Sequence, residues 1–179
     1  MPALKAKIMD EAAVKRAVMR ISHEITEKNK GVSNLVIVGI KRRGAVIAKM
    51  ICDNIEKIEG IRVPYVALDI SFYYDDLSPN EVSPVYRPEK NINVTGKTVV
   101  VVDDVIFTAR TTRTAVEAVF SMGRPSKVQL AVLIDRGHHE LPIRPDYCGK
   151  VIPTSKRETV AVCVPEFDNE MSVLLYESF

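Results

Sequence analysis

The sequence predicts an α/β fold with a mostly parallel central sheet flanked by helices, and three observations carry that expectation. The run Val99-Val100-Val101-Val102 sets four β-branched residues in succession, the pattern of a strand buried on both faces. Strand-like runs alternate with helical periods along the chain, which implies crossover connections and parallel pairing. At 179 residues, 46% hydrophobic and 27% charged, residues 1–179 have the size and composition of one globular domain. Neither an internal repeat nor a linker divides them.

The elements follow in order. Asp10 is placed to cap a helix to about Lys28, with Val14, Ala17, Val18, Ile21 and Ile25 on one face and Gly31 as its stop. Residues 35–38 read as a short buried strand. The turn Gly39-Ile40-Lys41-Arg42-Arg43-Gly44 then brackets three cations between glycines. A second helix is expected over 45–58, turning Ile47, Ala48, Ile51 and Ile55 inward, and a strand over 62–70. From Ser71 to Thr95 the chain is polar, holds three prolines and lacks an apolar period, so it reads as a long, mobile loop of the kind that forms lids. The valine strand is followed by a helix over about 111–122, with Ala115, Val116, Ala118, Val119 and Met122 apolar and Gly123 closing it. Another strand spans 127–134, and shorter strand-like pieces lie near Val151, at 160–164 and at 173–176.

Bulk properties narrow the function. Cys52, Cys148 and Cys163 are odd in number and far apart, with neither a disulfide framework nor metal-ligand spacing, which fits a reducing cytoplasm. No apolar stretch approaches the ~20 residues of a membrane span. Charges interrupt the first sixteen residues, which excludes a signal peptide. A net charge of +2 is too small to indicate nucleic acid by itself. Its distribution is uneven, however. Arg136, Arg144, Lys150, Lys156 and Arg157, with His138 and His139, outnumber Glu140 and Asp146 over 136–157, while the last fifteen residues are acidic.

The chemistry concentrates where the valine strand ends. Asp103 and Asp104 are followed by Val105-Ile106-Phe107-Thr108-Ala109-Arg110-Thr111-Thr112, which leads into a helix. Ligands of open α/β sheets bind beyond the carboxyl ends of the strands. A helix N-terminus favours an anion, and threonine hydroxyls add donors. One end of this segment therefore wants a phosphate, and the other offers carboxylates to hydroxyls or a divalent cation. A sugar phosphate satisfies both. The Gly39–Gly44 turn would bring Lys41, Arg42 and Arg43 to a polyanion on the same sheet edge.

These motifs resemble the signature of the type I phosphoribosyltransferases, whose donor is phosphoribosyl pyrophosphate (PRPP). The resemblance implies that Asp103 and Asp104 face the ribose, that Thr108, Ala109, Arg110 and Thr111 hold the 5-phosphate, and that Lys41, Arg42 and Arg43 contact pyrophosphate. It adds a small C-terminal hood and a flexible loop to the expected fold. Ala109 stands where close relatives have glycine, so a positive φ there would cost on the order of 1 kcal/mol. Arg42 replaces a threonine. Tyr74 replaces a loop arginine, and either Arg87 supplies that charge or the site is weakened.

The segment Asp135-Arg136-Gly137-His138-His139-Glu140-Leu141-Pro142-Ile143-Arg144-Pro145-Asp146-Tyr147-Cys148-Gly149-Lys150, with Ile152-Pro153-Thr154-Ser155, narrows the match. Together with Arg20, His23 and Asn29-Lys30-Gly31, it is similar to the branch that attenuates bacterial pyrimidine operons and also has uracil phosphoribosyltransferase activity. That branch implies PRPP and uracil as substrates, UMP and pyrophosphate as products, and Mg²⁺ carried with PRPP. Asp103 and Asp104 are the candidate metal ligands, and no organic cofactor is expected. Arg136 and the backbone near Val160 would meet uracil. Leader RNA would bind a basic surface holding Arg20, His23, Arg144, Lys150 and Thr154 at the interface of a homodimer or homotetramer, favoured by UMP or UTP. On that surface His139 replaces an arginine and Met19 a polar residue. Two alternatives stay open at this level. One is a regulator only, whose degenerate PRPP pocket senses UMP or UTP. The other is a salvage transferase for a base such as hypoxanthine, without RNA binding.

Overall fold

The computed structural model describes residues 2–70 and 91–177, with the backbone of 87–88 between them. In chain order the elements are β1 (Ala3–Met9), α1 (Glu11–Lys28), β2 (Leu35–Ile40), α2 (Arg43–Glu59), β3 (Tyr65–Asp69), β4 (Arg87–Pro88), β5 (Thr98–Ile106), α3 (Arg110–Ser121), β6 (Lys127–Asp135), β7 (Tyr147–Val151), β8 (Glu158–Cys163), α4 (Pro165–Asp168) and β9 (Ser172–Glu177). The central sheet has the order β4-β3-β2-β5-β6-β7, and its strands β3 to β7 in that row pair in parallel. A separate antiparallel sheet, β1-β9-β8, forms the hood.

Period-2 alternation gives each face of the central sheet its own core. Ile37, Val100, Val102 and Leu133 pack with Val18, Ile21 and Ile25 of α1 and with Ile47, Ile51 and Ile55 of α2. Val36, Val38, Val99, Val101 and Val132 face the opposite way, onto Ala115, Ala118 and Val119 of α3. At the start of α1, the Asp10 carboxylate accepts the Ala13 N–H at 2.8 Å, with Glu11 in the first turn and Lys28 in the last.

Three expectations are corrected. The stretch 71–95 is not loop throughout, because Arg87 and Pro88 pair antiparallel with Asp69 and Leu68, and Val94 is fully buried in the α3-side core. Pro88 is compatible with pairing because β4 is an edge strand, where one face of the backbone needs no ladder donor. Tyr74 and the side chain of Arg87 lie outside the described residues. Next, the hood is not purely C-terminal. β1, read in the sequence only as a charged N-terminus, adds a strand beside β9, and Met9 joins Val160, Val162, Val173 and Leu175 in the core. Finally, α2 starts at Arg43 and not at Ala45, so Arg43 belongs to the first helical turn.

The connectivity fixes where a ligand can enter. β2 leads through α2 to β3 on one side, and β5 leads through α3 to β6 on the other. The strand order thus reverses between β2 and β5, and the crevice outside their carboxyl ends is the expected binding position.

Candidate active site

A cleft of about 500 Å³ opens at that crevice, lined by Lys41, Arg42, Arg43, Asp69, Asp103 and Asp104. Lys41 and Arg42 come from the turn after β2 and Arg43 from the first turn of α2, while Asp69 ends β3 and Asp103 and Asp104 lie in the carboxyl-terminal half of β5. The Lys41–Arg42 peptide is cis. Close approach of α2 to β5 depends on Gly44, where a Cβ would lie 2.8 Å from the Val102 carbonyl and 2.9 Å from Asp103 Cα. Asp69 was not singled out from sequence. It ends an ordinary-looking strand, and only the sheet order sets it beside the Asp103–Asp104 pair.

The two adjacent acids are unequal. Asp103 is buried, its Oδ1 accepts the Asp104 N–H at 2.9 Å, and burial together with the neighbouring Asp104 charge raises its pKa. Asp104 is only half-buried, and its Oδ1 accepts the Val105 N–H at 2.9 Å. Asp104 is therefore the better placed of the pair to present negative charge to a ligand. Among the described residues no group of three or more His, Cys, Asp or Glu is arranged to hold a metal. That donor set fits Mg²⁺ bound through one or two carboxylates and a ligand's own phosphate oxygens.

A second cavity of about 250 Å³ is lined by residues 105–112, in front of the α3 N-terminus. Ala109 is the N-cap residue of α3, at φ 72° and ψ 9°; its methyl cannot cap the helix, and the Thr108 hydroxyl accepts the Arg110 N–H at 3.5 Å. The positive φ anticipated as a cost is thus present. The Ala109 methyl is buried in the α3-side core, which offsets part of that cost. The Thr108 carbonyl accepts the Glu140 N–H at 3.1 Å. Arg110 directs its guanidinium outward to Glu140 Oε2 at 2.9 and 3.1 Å, so the turn offers an anion backbone N–H and hydroxyl groups ahead of this side chain.

Arg136 is buried and heavily engaged. Its Nε donates to Thr154 Oγ1 at 3.1 Å and its Nη2 to the Ser155 carbonyl at 3.3 Å and to the Glu158 carbonyl, while the guanidinium lies 4.0 Å from the Phe107 ring centroid. Burial lowers its pKa, against the charge of Glu158. Glu158 begins β8, two residues before Val160, and so brings Arg136 to the hood. Its carboxylate accepts Lys5 Nζ at 2.5 Å and the Ser155 N–H at 2.7 Å, and the Lys5 bond holds its pKa below the usual carboxylate range. Lys5, Phe107 and Glu158 were missed from sequence because they act across segments far apart in the chain.

The hood also reaches the basic turn. Arg43 donates from Nη2 to Asp168 Oδ1 at 2.7 Å and from Nε to Asp168 Oδ2 at 3.3 Å, and the Phe167 ring lies 4.6 Å from the Arg42 guanidinium. Hydrogen bonding to Arg43 lowers the pKa of Asp168.

α1 and β7 meet at the far side of the sheet. Arg20 donates to Glu24 and to the carbonyls of Cys148 and Gly149, and Lys28 bonds Asp146 at 3.1 Å. His23, Arg144 and Lys150 are exposed nearby in the chain's basic segments. Asn29 has a packing role: it exchanges amide hydrogen bonds with Gln129, to which Tyr147 also donates, and burial pushes the Tyr147 hydroxyl up to about 12. Two residues differ from the expected basic surface. The Thr154 hydroxyl is turned inward, accepting from Arg136 Nε and donating to its carbonyl. The His139 side chain is only 6% exposed and sits 2.8 Å from Asp135 Oδ1, so it does not stand on the surface as an arginine substitute.

Residues 6–166 match a family model described as the phosphoribosyl transferase domain. A bifunctional protein PyrR from Caldicellulosiruptor bescii is 56% identical over 170 residues, which are 94% of this chain and 93% of that protein. The bifunctional protein PyrR of Clostridioides difficile is 53% identical over 174 residues, 97% and 98% of the two chains. Among solved structures, the fold matches a Bacillus anthracis hypoxanthine-guanine phosphoribosyltransferase (TM-score 0.73, 18% identity, 98% and 99% covered). It also matches a Trypanosoma cruzi hypoxanthine phosphoribosyltransferase (TM-score 0.76, 19% identity, 97% and 96% covered).

Proposed function

Because this chain belongs to the phosphoribosyl transferase family, we propose that it transfers phosphoribose from PRPP to uracil, giving UMP and pyrophosphate, and that it binds pyrimidine-operon leader RNA as a nucleotide-responsive attenuator. The observation that carries the enzymatic half is the cleft at the strand-order reversal, lined by Lys41, Arg42, Arg43, Asp103 and Asp104, together with the cavity lined by 105–112 at the α3 N-terminus. Identity of 51–56% to proteins named bifunctional favours both activities together over a regulator with a degenerate pocket.

In this reading the turn 108–111 holds the 5-phosphate on the α3 N-terminus. Asp104 meets the ribose, with Asp103 beneath it. As the C1–oxygen bond to pyrophosphate breaks and the bond to uracil nitrogen forms, positive charge develops on the sugar, and the Asp104 carboxylate stabilises it. Lys41, Arg42 and Arg43 take the charge on the departing pyrophosphate. Asp103 and Asp104 would hold Mg²⁺ brought in with PRPP, and the ion would add to the neutralisation of that leaving group. The uracil N–H proton passes to solvent as that nitrogen bonds to C1, so the bond made to the base and the bond broken to pyrophosphate balance. Arg136 and the β8 backbone at Val160 orient the base under the hood.

RNA meets the exposed cations Arg20, Arg144 and Lys150 with His23, while Thr154 acts by holding Arg136. A homodimer or homotetramer assembles the concave surface, and the protein works in the cytoplasm on soluble substrates. The test is UMP formation from PRPP and uracil with and without Mg²⁺, with hypoxanthine as the control base. Mg²⁺-dependent turnover of uracil alone is expected. Folded protein with no turnover on either base refutes the enzymatic half, and absence of leader-hairpin binding with UMP at fixed salt refutes the regulatory half.

A further inference from the structure

We propose that Asp168 is a positioning residue for Arg43, through which the hood sets how the cleft grips pyrophosphate. The inference rests on assigning the cleft to the pyrophosphate of PRPP.

Three observations converge. Arg43 stands in the first turn of α2, on the cleft wall, yet its guanidinium is tied by a two-point fork to a carboxylate 125 residues later in the chain. Asp168 is itself fixed, since its Oδ2 also accepts the Val164 N–H at 2.9 Å. The Phe167 ring lies 4.6 Å from the Arg42 guanidinium and 5.9 Å from that of Arg43, so α4 lies against both arginines of the turn.

A guanidinium carries five N–H donors on two usable edges. The fork uses Nε and one N–H of Nη2. It leaves Nη1 and the second Nη2 N–H, the edge whose spacing suits two oxygens of a phosphate. An untethered arginine would have to lose its rotamer freedom when the anion arrives, which weakens binding. Asp168 removes that loss in advance. Its own negative charge opposes the anion, but the pair is partly solvent-exposed, at 37% for Arg43 and 23% for Asp168, so screening reduces the repulsion. Positioning therefore outweighs repulsion, and neutralising Asp168 weakens the grip.

This arrangement gives the hood two contacts with one reaction. β8 approaches Arg136 on the base side, and α4 holds Arg43 on the pyrophosphate side. A displacement of the hood moves both.

The experiment is a double-mutant cycle on Asp168→Asn and Arg43→Gln. It is read by calorimetric binding of magnesium pyrophosphate to the intact chain and by the separate KM values for PRPP and uracil. Wild-type protein is expected to bind magnesium pyrophosphate. Asp168→Asn is expected to weaken that binding about fivefold to tenfold and to raise the PRPP KM, leaving the uracil KM within twofold. In the Arg43→Gln background the same substitution should change nothing further, and Asp168→Glu should restore part of the loss. Tighter pyrophosphate binding by Asp168→Asn would overturn the positioning role. So would an equal effect in both backgrounds, or a parallel rise in both KM values. Failure of wild-type protein to bind magnesium pyrophosphate would instead overturn the assignment of the cleft, and this inference with it.

Discussion

Gly44→Ala tests the geometry on which the cleft depends. The added Cβ would meet the Val102 carbonyl oxygen at 2.8 Å and Asp103 Cα at 2.9 Å, where ordinary contact begins at 3.4 Å. The shortfall is about 0.5–0.6 Å, and both obstacles are backbone of the central strand, so neither can swing aside. α2 must lift instead. Overpacking of this kind costs roughly 1–3 kcal/mol. For a chain of this size each kcal/mol lowers Tm by about 2–4 °C, so a fall of roughly 2–12 °C is expected. Because Arg43 immediately precedes this glycine, the lift also carries a cleft cation away from Asp104. A misplacement near 1 Å can cost on the order of 100-fold in rate, and half of it about tenfold. The assay pairs thermal unfolding of the apo protein with steady-state UMP formation. Gly96→Ala is the control. Its φ of +71° imposes strain of about 1 kcal/mol, but nothing lies within 4 Å of its Cβ, and it sits before β5 at the amino ends of the strands, the far end from the cleft. A Gly44→Ala protein that melts within 1 °C of wild type and turns over normally would refute the close approach of α2 and β5.

The remaining expectations follow from single residues. The raised pKa of Asp103 means that the folded state binds more protons than the unfolded state above the ordinary value of 3.8. Stability is then lost as pH rises through that interval. Asp103→Asn should therefore gain Tm relative to wild type from pH 4 upward while losing turnover, and a Tm difference independent of pH would exclude it. Ala109→Gly relieves about 1 kcal/mol of left-handed strain. It also gives up a buried methyl worth about 0.8 kcal/mol and adds chain entropy to the unfolded state. Its Tm should thus stay within about 3 °C of wild type, and a large change in calorimetric stability would show that one of these effects is misjudged. Glu158→Gln should raise the uracil KM severalfold with little change for PRPP, because the amide keeps one acceptor oxygen where the carboxylate has two, so either Lys5 or the Ser155 N–H loses its partner and the charge that pairs Lys5 is gone. Lys150→Ala should lower the slope of log K against log salt for leader-hairpin binding by about 0.7–0.9, the loss of one phosphate contact. An unchanged slope in filter or fluorescence titrations would remove Lys150 from the interface.

Sequence legibility divides along a physical line. Features carried by local pattern were readable: the α1 cap at Asp10, the buried faces of α1 and α2, the doubly buried β5, and the acid pair leading into a threonine turn. Each depends on residues within a few positions of one another. β1 was not readable, because Ala3–Met9 exposes most of its residues and shows no clean alternation; it becomes a strand through pairing with β9, some 170 residues later. β4 was hidden in the same way, since two residues with a proline carry no period. Among the residues lining the candidate cavities, Lys41 to Arg43 and Asp103 to Thr111 announce themselves by type and spacing. Asp69, Phe107, Glu158 and Asp168 do not, because each matters only through a partner that the fold supplies. His139 shows the converse error. A histidine in a basic segment reads as surface, yet the turn at Gly137, whose N–H bonds Asp135, folds the ring back onto that same carboxylate. Charge composition places a residue in a patch of sequence, whereas a hydrogen-bonded turn decides which side of the backbone it occupies. The proposed RNA surface from α1 and the 144–154 segment therefore has to be read side chain by side chain: Arg144 and Lys150 are exposed, Arg144 with its Nη1 bonded to the Leu141 and Ile143 carbonyls, while His139 and Thr154 turn inward.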